Sequence, residues 1–171
     1  TKWRPVGLGT MGLQDVFFRL GIPFDSTQAQ EISARIAEEV YYAALVTSND
    51  LAKEFGAHEN FHETKASKGI LQFDFWQNDL YDQDRFDVLR EEIKTHGLRN
   101  SLMIAIAPTA TIASITGCYE CTEPQVSNLF KRETLSGDFL QINKYLVEDL
   151  KELGLWTDDV RSKIKLANGS I

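Results

Sequence analysis

Three short stretches combine residue types and spacings that are typical of cofactor or metal sites. Gly7, Gly9 and Gly12 form the G-x-G-x-x-G pattern of dinucleotide-binding turns, in which glycine lets the backbone approach a pyrophosphate. Residues 58–62 read H-E-x-x-H, which on a helix directs two imidazoles at one zinc ion and supplies a glutamate base. Residues 118–121 read C-x-x-C, a spacing found in zinc sites and redox-active thiol pairs. Because these chemistries differ, each pattern has to be weighed against its surrounding sequence.

The glycine pattern lacks the sequence context of a dinucleotide site. Such a site needs a strand before the glycines, a helix after them, and a second strand that ends in an acidic residue about 20 residues later. Residues 25–55 have helical periodicity where that second strand should be, and the acidic candidates Asp25 and Glu31 fall at a helix cap and inside the helix. We therefore predict a tight turn whose glycines permit close strand–helix packing.

The histidine and cysteine patterns also lack support. Gly56 stands just before His58, the following residues are polar, and no obvious third zinc ligand is present, so we predict two exposed loop histidines. Cys118 and Cys121 follow a glycine and have no second pair, so a turn with structural cysteines is favoured. A zinc hydrolase that uses residues 58–62 remains the least favoured alternative.

A less familiar stretch, residues 106–117 (IAPTATIASITG), predicts an anion site. Pro108 stops an apolar run of strand length, and Thr109 and Thr111 then alternate with small residues at a predicted helix start. The first amides of a helix have no internal partner and lie at its positive end, where they can donate to a phosphate. Threonine-capped helices that bind nothing are also common after strands, so the spacing alone leaves both interpretations open.

Helical and strand periodicities place these motifs in a helix-rich α/β chain with no visible second domain. The clearest element is a long helix that begins at Asp25 or Ser26, with Gln28 completing a capping box with Asp25, and ends near Phe55. The other predicted elements are a helix over 10–20, a loop over 57–69, a short extended piece over 69–76, a helix from Asp82 or Asp84 to His96, a buried strand over 101–108, a strand over 128–135, an amphipathic helix over 138–153 and a weaker helix from Thr157 to about Asn168.

The composition is that of a folded, non-membrane protein. The chain has 171 residues, 43% of them hydrophobic and 25% charged, and no apolar run approaches the roughly 18 residues that span a bilayer. The net charge of −7 disfavours a nucleic-acid partner, and two cysteines predict a reducing, cytoplasmic location. Because the sequence lacks an initiator methionine, we expect a piece of a longer protein.

Four stretches in fixed order raise the specificity of these predictions: RPVGLGTMGLQDVFFRLGIPFDS, SKGILQFDFW, RNSLMIAIAPTATIASITG and EPQVSNLFKRETLSGDF. Together they resemble the large catalytic subunit of class I ribonucleoside-diphosphate reductase, from about Arg4 to Trp156. The resemblance implies a ten-stranded α/β barrel built from two five-stranded halves, with residues 1–171 forming a single partial domain of it. It also implies the reduction of ribonucleoside diphosphates to 2′-deoxyribonucleoside diphosphates by thiyl-radical chemistry.

The resemblance implies that one loop of this chain holds the substrate diphosphate. Thr109 and Thr111 are expected to supply hydroxyl groups, and Pro108 is expected to line the sugar side. The amides of the remaining residues complete the expected set of donors: Ala110, Ile112 and Ala113. The Asn-x-Cys-x-Glu pattern of the radical cysteine is absent, so no catalytic residue is assigned and the isolated chain is expected to be inactive.

The same resemblance implies partners outside this chain. These are a small radical-generating subunit that carries a dinuclear metal-radical cofactor, thioredoxin or glutaredoxin as reductant, and a second copy of the full-length large subunit in a homodimer. No cofactor is expected in this chain, and the allosteric nucleotide sites lie mostly elsewhere. The alternative function from another class is a non-enzymatic phosphate- or nucleotide-binding domain.

Overall fold

A computed structural model describes residues 2–76, 79–134 and 137–171. Within them lie six α-helices and one two-stranded sheet. The helices are α1 (Leu13–Leu20), α2 (Thr27–Phe55), α3 (Gln83–His96), α4 (Ala110–Thr116), α5 (Lys144–Glu152) and α6 (Asp158–Leu166). The strands are β1 (Leu129–Thr134) and β2 (Gly137–Ile142), and short 3₁₀ helices cover Phe61–Glu63, Ala66–Lys68 and Gln72–Phe75. No helix in the described ranges is both long enough and apolar enough to cross a membrane.

The long helix α2 confirms the helix predicted from periodicity. Its N-cap is Ser26, whose hydroxyl accepts a hydrogen bond from the Ala29 amide at 3.1 Å, and Gly56 ends it with a φ of 81°. The predicted capping box between Asp25 and Gln28 is wrong. With Ser26 as the cap, the third helical position is Ala29, which has no side-chain acceptor to complete the box.

The main hydrophobic core lies between α2 and α3. Its buried members are Leu45, Leu71, Phe86, Leu89, Ile93, Leu98 and Met103. The Phe86 ring is fully buried and packs edge-on against Tyr42 and Phe73, with centroid distances of 5.1 Å to each. Asn49 of α2 donates to the Gly97 carbonyl oxygen at 2.9 Å, which fixes the end of α3 beside α2. This core supports the chain that runs from residue 98 into the candidate site.

The predicted buried strand over 101–108 is extended but not buried. The Val6 amide donates to the Leu102 carbonyl at 2.9 Å and the Ala105 amide donates to the Leu8 carbonyl at 2.9 Å, so residues 6–8 and 102–105 pair in parallel through one bridge. Met103 is buried, whereas the Leu102 side chain is 66% exposed. The burial prediction is wrong because only Met103 of residues 101–108 is buried and, within the described ranges, the segment is paired along one edge.

The C-terminal third contains a β-hairpin that the periodicity did not resolve. β1 and β2 pair antiparallel from Leu129–Ile142 to Thr134–Gly137, which confirms the strand predicted over 128–135 for residues 129–134; residue 128 precedes β1, and residue 135 lies outside the described residues. The predicted helix over 138–153 is wrong in its first third, since β2 occupies 137–142 and Asn143 caps α5. The extended piece over 69–76 is wrong too, because Gln72–Phe75 form a 3₁₀ helix.

The implied ten-stranded barrel is not formed by these residues. The structure has one two-stranded sheet and an isolated parallel bridge between Leu8 and Ile104 within the described ranges. The helix-rich character is confirmed, and the barrel itself remains an expectation drawn from the resemblance.

Candidate functional site

The predicted anion loop lies on the surface, between the extended segment and α4. Pro108 is exposed and ends the extended backbone, and Thr109 is the N-cap of α4 with a left-handed φ of 52°. This conformation is unfavourable for a β-branched residue and persists only where contacts enforce it. One such contact is present: the Cys121 amide donates to the Thr109 hydroxyl oxygen at 2.8 Å. The Thr109 hydroxyl donates to no acceptor among the described residues.

The first turn of α4 presents open backbone donors. The amides of Ala110, Thr111 and Ile112 have no backbone acceptor among the described residues, and all three residues are exposed. Ala113 differs, because its amide donates to the Thr109 carbonyl oxygen at 2.8 Å and its side chain is fully buried. Of the three expected amides, those of Ala110 and Ile112 are therefore open, the amide of Thr111 joins them, and Ala113 is the packing residue of the helix.

Asp15 anchors the turn that follows α4. One of its carboxylate oxygens accepts from the Tyr119 amide at 2.6 Å, and the other accepts from the Tyr145 hydroxyl at 2.6 Å. Lys144 approaches the same carboxylate at 3.3 Å. Burial raises the pKa of both tyrosine hydroxyl groups, and the charge of Asp15 raises it further, so both side chains stay neutral near pH 7. No motif in the sequence pointed to Asp15.

The glycine pattern packs backbone against backbone. A Cβ atom at Gly9 would lie 2.5 Å from the Ala105 carbonyl oxygen, and one at Gly7 would lie 3.1 Å from the Ala105 Cβ. Gly12 has a φ of 86° and is the N-cap of α1. The predicted close packing is therefore present, but Gly7 and Gly9 approach the extended segment at Ala105 and not a helix, so the strand–helix part of the prediction is wrong.

The H-E-x-x-H residues do not share a helix face. His58 precedes a 3₁₀ helix and is buried between the Trp3 and Phe61 rings, at centroid distances of 5.8 Å from each. His62 is exposed and lies 3.8 Å from the Glu63 carboxylate. The prediction of two exposed histidines is right for His62 and wrong for His58, whose pKa is lowered by burial. Across the described ranges, no cluster of three or more His, Cys, Asp or Glu side chains could hold a metal ion.

Cys118 and Cys121 are both unbridged. They lie after the C-terminal end of α4, and Cys118 packs beside Gly12, the N-cap of α1, where a Cβ atom built on the glycine would lie 3.3 Å from the Cys118 Cβ. The Cys118 sulfur lies 3.1 Å from the Thr116 hydroxyl, while Cys121 is buried. This placement agrees with the predicted turn.

Comparison with known proteins gives one consistent match. The family model described as "Ribonucleotide reductase, barrel domain" matches residues 1–171. The chain is 46% identical over 172 residues to the ribonucleoside-diphosphate reductase large subunit of Arabidopsis thaliana and 46% identical over 171 residues to that of Dictyostelium discoideum. It is 44% identical over 170 residues to the ribonucleoside-diphosphate reductase large chain 2 of Saccharomyces cerevisiae. Each alignment covers 99% of this chain but only 20–21% of the relative, so the chain spans about one fifth of these proteins.

Proposed function

The chain belongs to the ribonucleotide reductase barrel-domain family, and from that premise we propose that it supplies the substrate-diphosphate loop of a ribonucleoside-diphosphate reductase large subunit. In the proposed reaction the ribonucleoside diphosphate loses its 2′-hydroxyl as water through thiyl-radical chemistry. A cysteine pair outside this chain is oxidised to a disulfide and supplies the electrons. The role of this chain is to bind and orient the diphosphate.

The observation that carries the proposal is the set of open donors at the start of α4. Three exposed amides, those of Ala110, Thr111 and Ile112, lie beside the hydroxyl groups of Thr109 and Thr111. A hydrogen bond to a charged group contributes about 1.5–3 kcal/mol, and the positive helix end adds about 0.3–1 kcal/mol for an anion. A diphosphate has enough oxygens to use several of these donors at once. Pro108, which precedes them, is assigned to the sugar side.

The proposed partners follow from the family. They are a small subunit that carries the dinuclear metal-radical cofactor, thioredoxin or glutaredoxin as reductant, and a second large subunit in a homodimer. The metal centre is assigned to the small subunit because the resemblance to the family implies it there. No step assigned to this chain depends on that centre.

The proposal is tested by replacing Thr109 and Thr111 with alanine in the complete large subunit, assayed with its small subunit. Loss of contacts made equally in the ground and transition states raises KM and leaves kcat nearly unchanged. We expect KM for a ribonucleoside diphosphate to rise about tenfold or more, which equals the loss of one charged hydrogen bond. Thr109→Ser should keep most of the affinity, and Thr47→Ala, on an exposed face of α2, is the matched control.

An unchanged KM in the double alanine variant would contradict the loop assignment. A complete polypeptide that binds inorganic pyrophosphate through these threonines but shows no reduction would favour the non-enzymatic phosphate-binding alternative.

A further inference from the structure

We propose that Arg132 of β1 is a positioning residue for the diphosphate loop, because its guanidinium group fixes the first peptide of α4. The inference rests on the proposed function and adds a residue to it that lies outside the loop. Arg132 contacts the loop at the Ala110 carbonyl group and acts through that peptide.

The placement of α4 depends on polar contacts. The helix has seven residues, fewer than an isolated helix needs to be stable in water. Ala113 is its single buried residue, while the Ile112 and Ile115 side chains are 52% and 79% exposed. Apolar packing therefore holds one point of the helix and leaves its orientation to hydrogen bonds.

Arg132 supplies those hydrogen bonds at three points. Its Nη2 donates to the Ala110 carbonyl oxygen at 2.7 Å and to the Glu120 carboxylate at 3.1 Å, and its Nη1 donates to the Ser114 hydroxyl. The Ser114 hydroxyl in turn donates to the Ala110 carbonyl oxygen at 3.0 Å. A planar guanidinium can serve several acceptors in fixed directions, which a lysine ammonium cannot reproduce. The start, middle and following turn of α4 are thus fixed to β1 by one side chain.

The bond to the Ala110 carbonyl has a direct effect on a loop donor. The Ala110 carbonyl and the Thr111 amide belong to one planar peptide group, so fixing the carbonyl also fixes the direction of the Thr111 N–H. A cation at the carbonyl oxygen also polarises the peptide, which strengthens the N–H as a donor. Arg132 therefore orients and polarises the Thr111 N–H, a donor on the anion side of the loop, through the carbonyl oxygen of the same peptide group.

The test uses the complete large subunit with its small subunit and compares Arg132→Gln, Arg132→Lys and the control Lys131→Gln. Lys131 is the neighbouring cation on β1, and it pairs with Glu133 and Asp138 instead of α4. For Arg132→Gln we expect KM for a ribonucleoside diphosphate and the inhibition constant of inorganic pyrophosphate to rise together by about tenfold, with kcat within about twofold. Arg132→Lys should give intermediate values, and Lys131→Gln should match the unaltered protein.

The outcomes separate this inference from the proposed function. If the Thr109 and Thr111 variants raise KM while Arg132→Gln does not, the inference is overturned and the loop assignment stands. If kcat falls and the pyrophosphate constant is unchanged, Arg132 has only a structural role and the inference is again overturned. Unchanged kinetics in all of these variants overturn both proposals. Should Arg132→Gln fail to fold, Arg132→Lys decides, because an unaltered KM in that variant contradicts the need for a guanidinium.

Discussion

Replacing Asp15 should destabilise the chain far more than replacing an ordinary surface carboxylate. Asp15 is buried and accepts two hydrogen bonds of 2.6 Å, from the Tyr119 amide and the Tyr145 hydroxyl. Through them it joins α1 to the turn after α4 and to the start of α5. Asp15→Ala removes all of these contacts, whereas Asp15→Asn keeps the shape and one carbonyl oxygen.

The size of the effect follows from these contacts. Each hydrogen bond to a charged acceptor contributes about 1.5–3 kcal/mol, and the part-exposed pair with Lys144 adds about 0–1 kcal/mol. Asp15→Ala also leaves buried donors unpaired, so we expect a loss of about 3–5 kcal/mol in the free energy of unfolding. Asp15→Asn should cost about 1–3 kcal/mol, because a neutral oxygen replaces the charged one.

Urea unfolding of the 171-residue chain, followed by far-ultraviolet circular dichroism, measures these losses. Asp149→Asn on the exposed side of α5 is the matched control for the change in charge. A double-mutant cycle with Tyr145→Phe isolates the Asp15–Tyr145 bond and should give a coupling energy of about 1 kcal/mol or more. If Asp15→Asn costs no more than Asp149→Asn, the assignment of Asp15 as the anchor of this turn is refuted.

Three further predictions concern other parts of the chain. Gly9→Ala should cost about 1–3 kcal/mol in unfolding free energy, because its Cβ would lie 2.5 Å from the Ala105 carbonyl oxygen; Gly7→Ala should cost less, and equal costs would contradict the packing argument. Phe86→Ala should cost about 3–5 kcal/mol by urea unfolding, and a loss below about 1 kcal/mol would show that this ring does not lie in the core. Burial lowers the pKa of His58, so the unfolded chain binds its proton first and stability should fall as the pH drops below about 6.5. His58→Phe should reduce the difference between the unfolding free energies measured at pH 7 and at pH 5. An unchanged difference would exclude a contribution from this histidine.

Elements with complete local signals were predicted well. α2 has a serine cap, a 3.6-residue apolar period and a terminal glycine, all within its own sequence, and the structure places it at Thr27–Phe55. The boundary between β2 and α5 was missed because the apolar positions Phe139, Ile142 and Leu146 continue a helical period across it. Pairing with β1 extends the backbone up to Ile142, and such pairing is a contact between separate segments that no local period encodes.

The candidate site also combines features encoded locally in the sequence with features that depend on tertiary contacts. The sequence by itself determined where the loop lies, since a proline that stops an extended run and a threonine-rich helix start are local features at Pro108–Thr111. The tertiary structure alone decided which donors are open, because that depends on where Ala113 packs and what the Thr109 hydroxyl accepts.

Residues distant in sequence contact the candidate site and the turn that follows it. Asp15 reaches the Tyr119 amide across 104 positions of sequence, and Arg132 reaches Ala110 across 22. Their roles come from distances between side chains and peptide groups that folding brings together. The sequence therefore determined the local backbone of the site, and only the fold decided which charged groups hold that backbone in place.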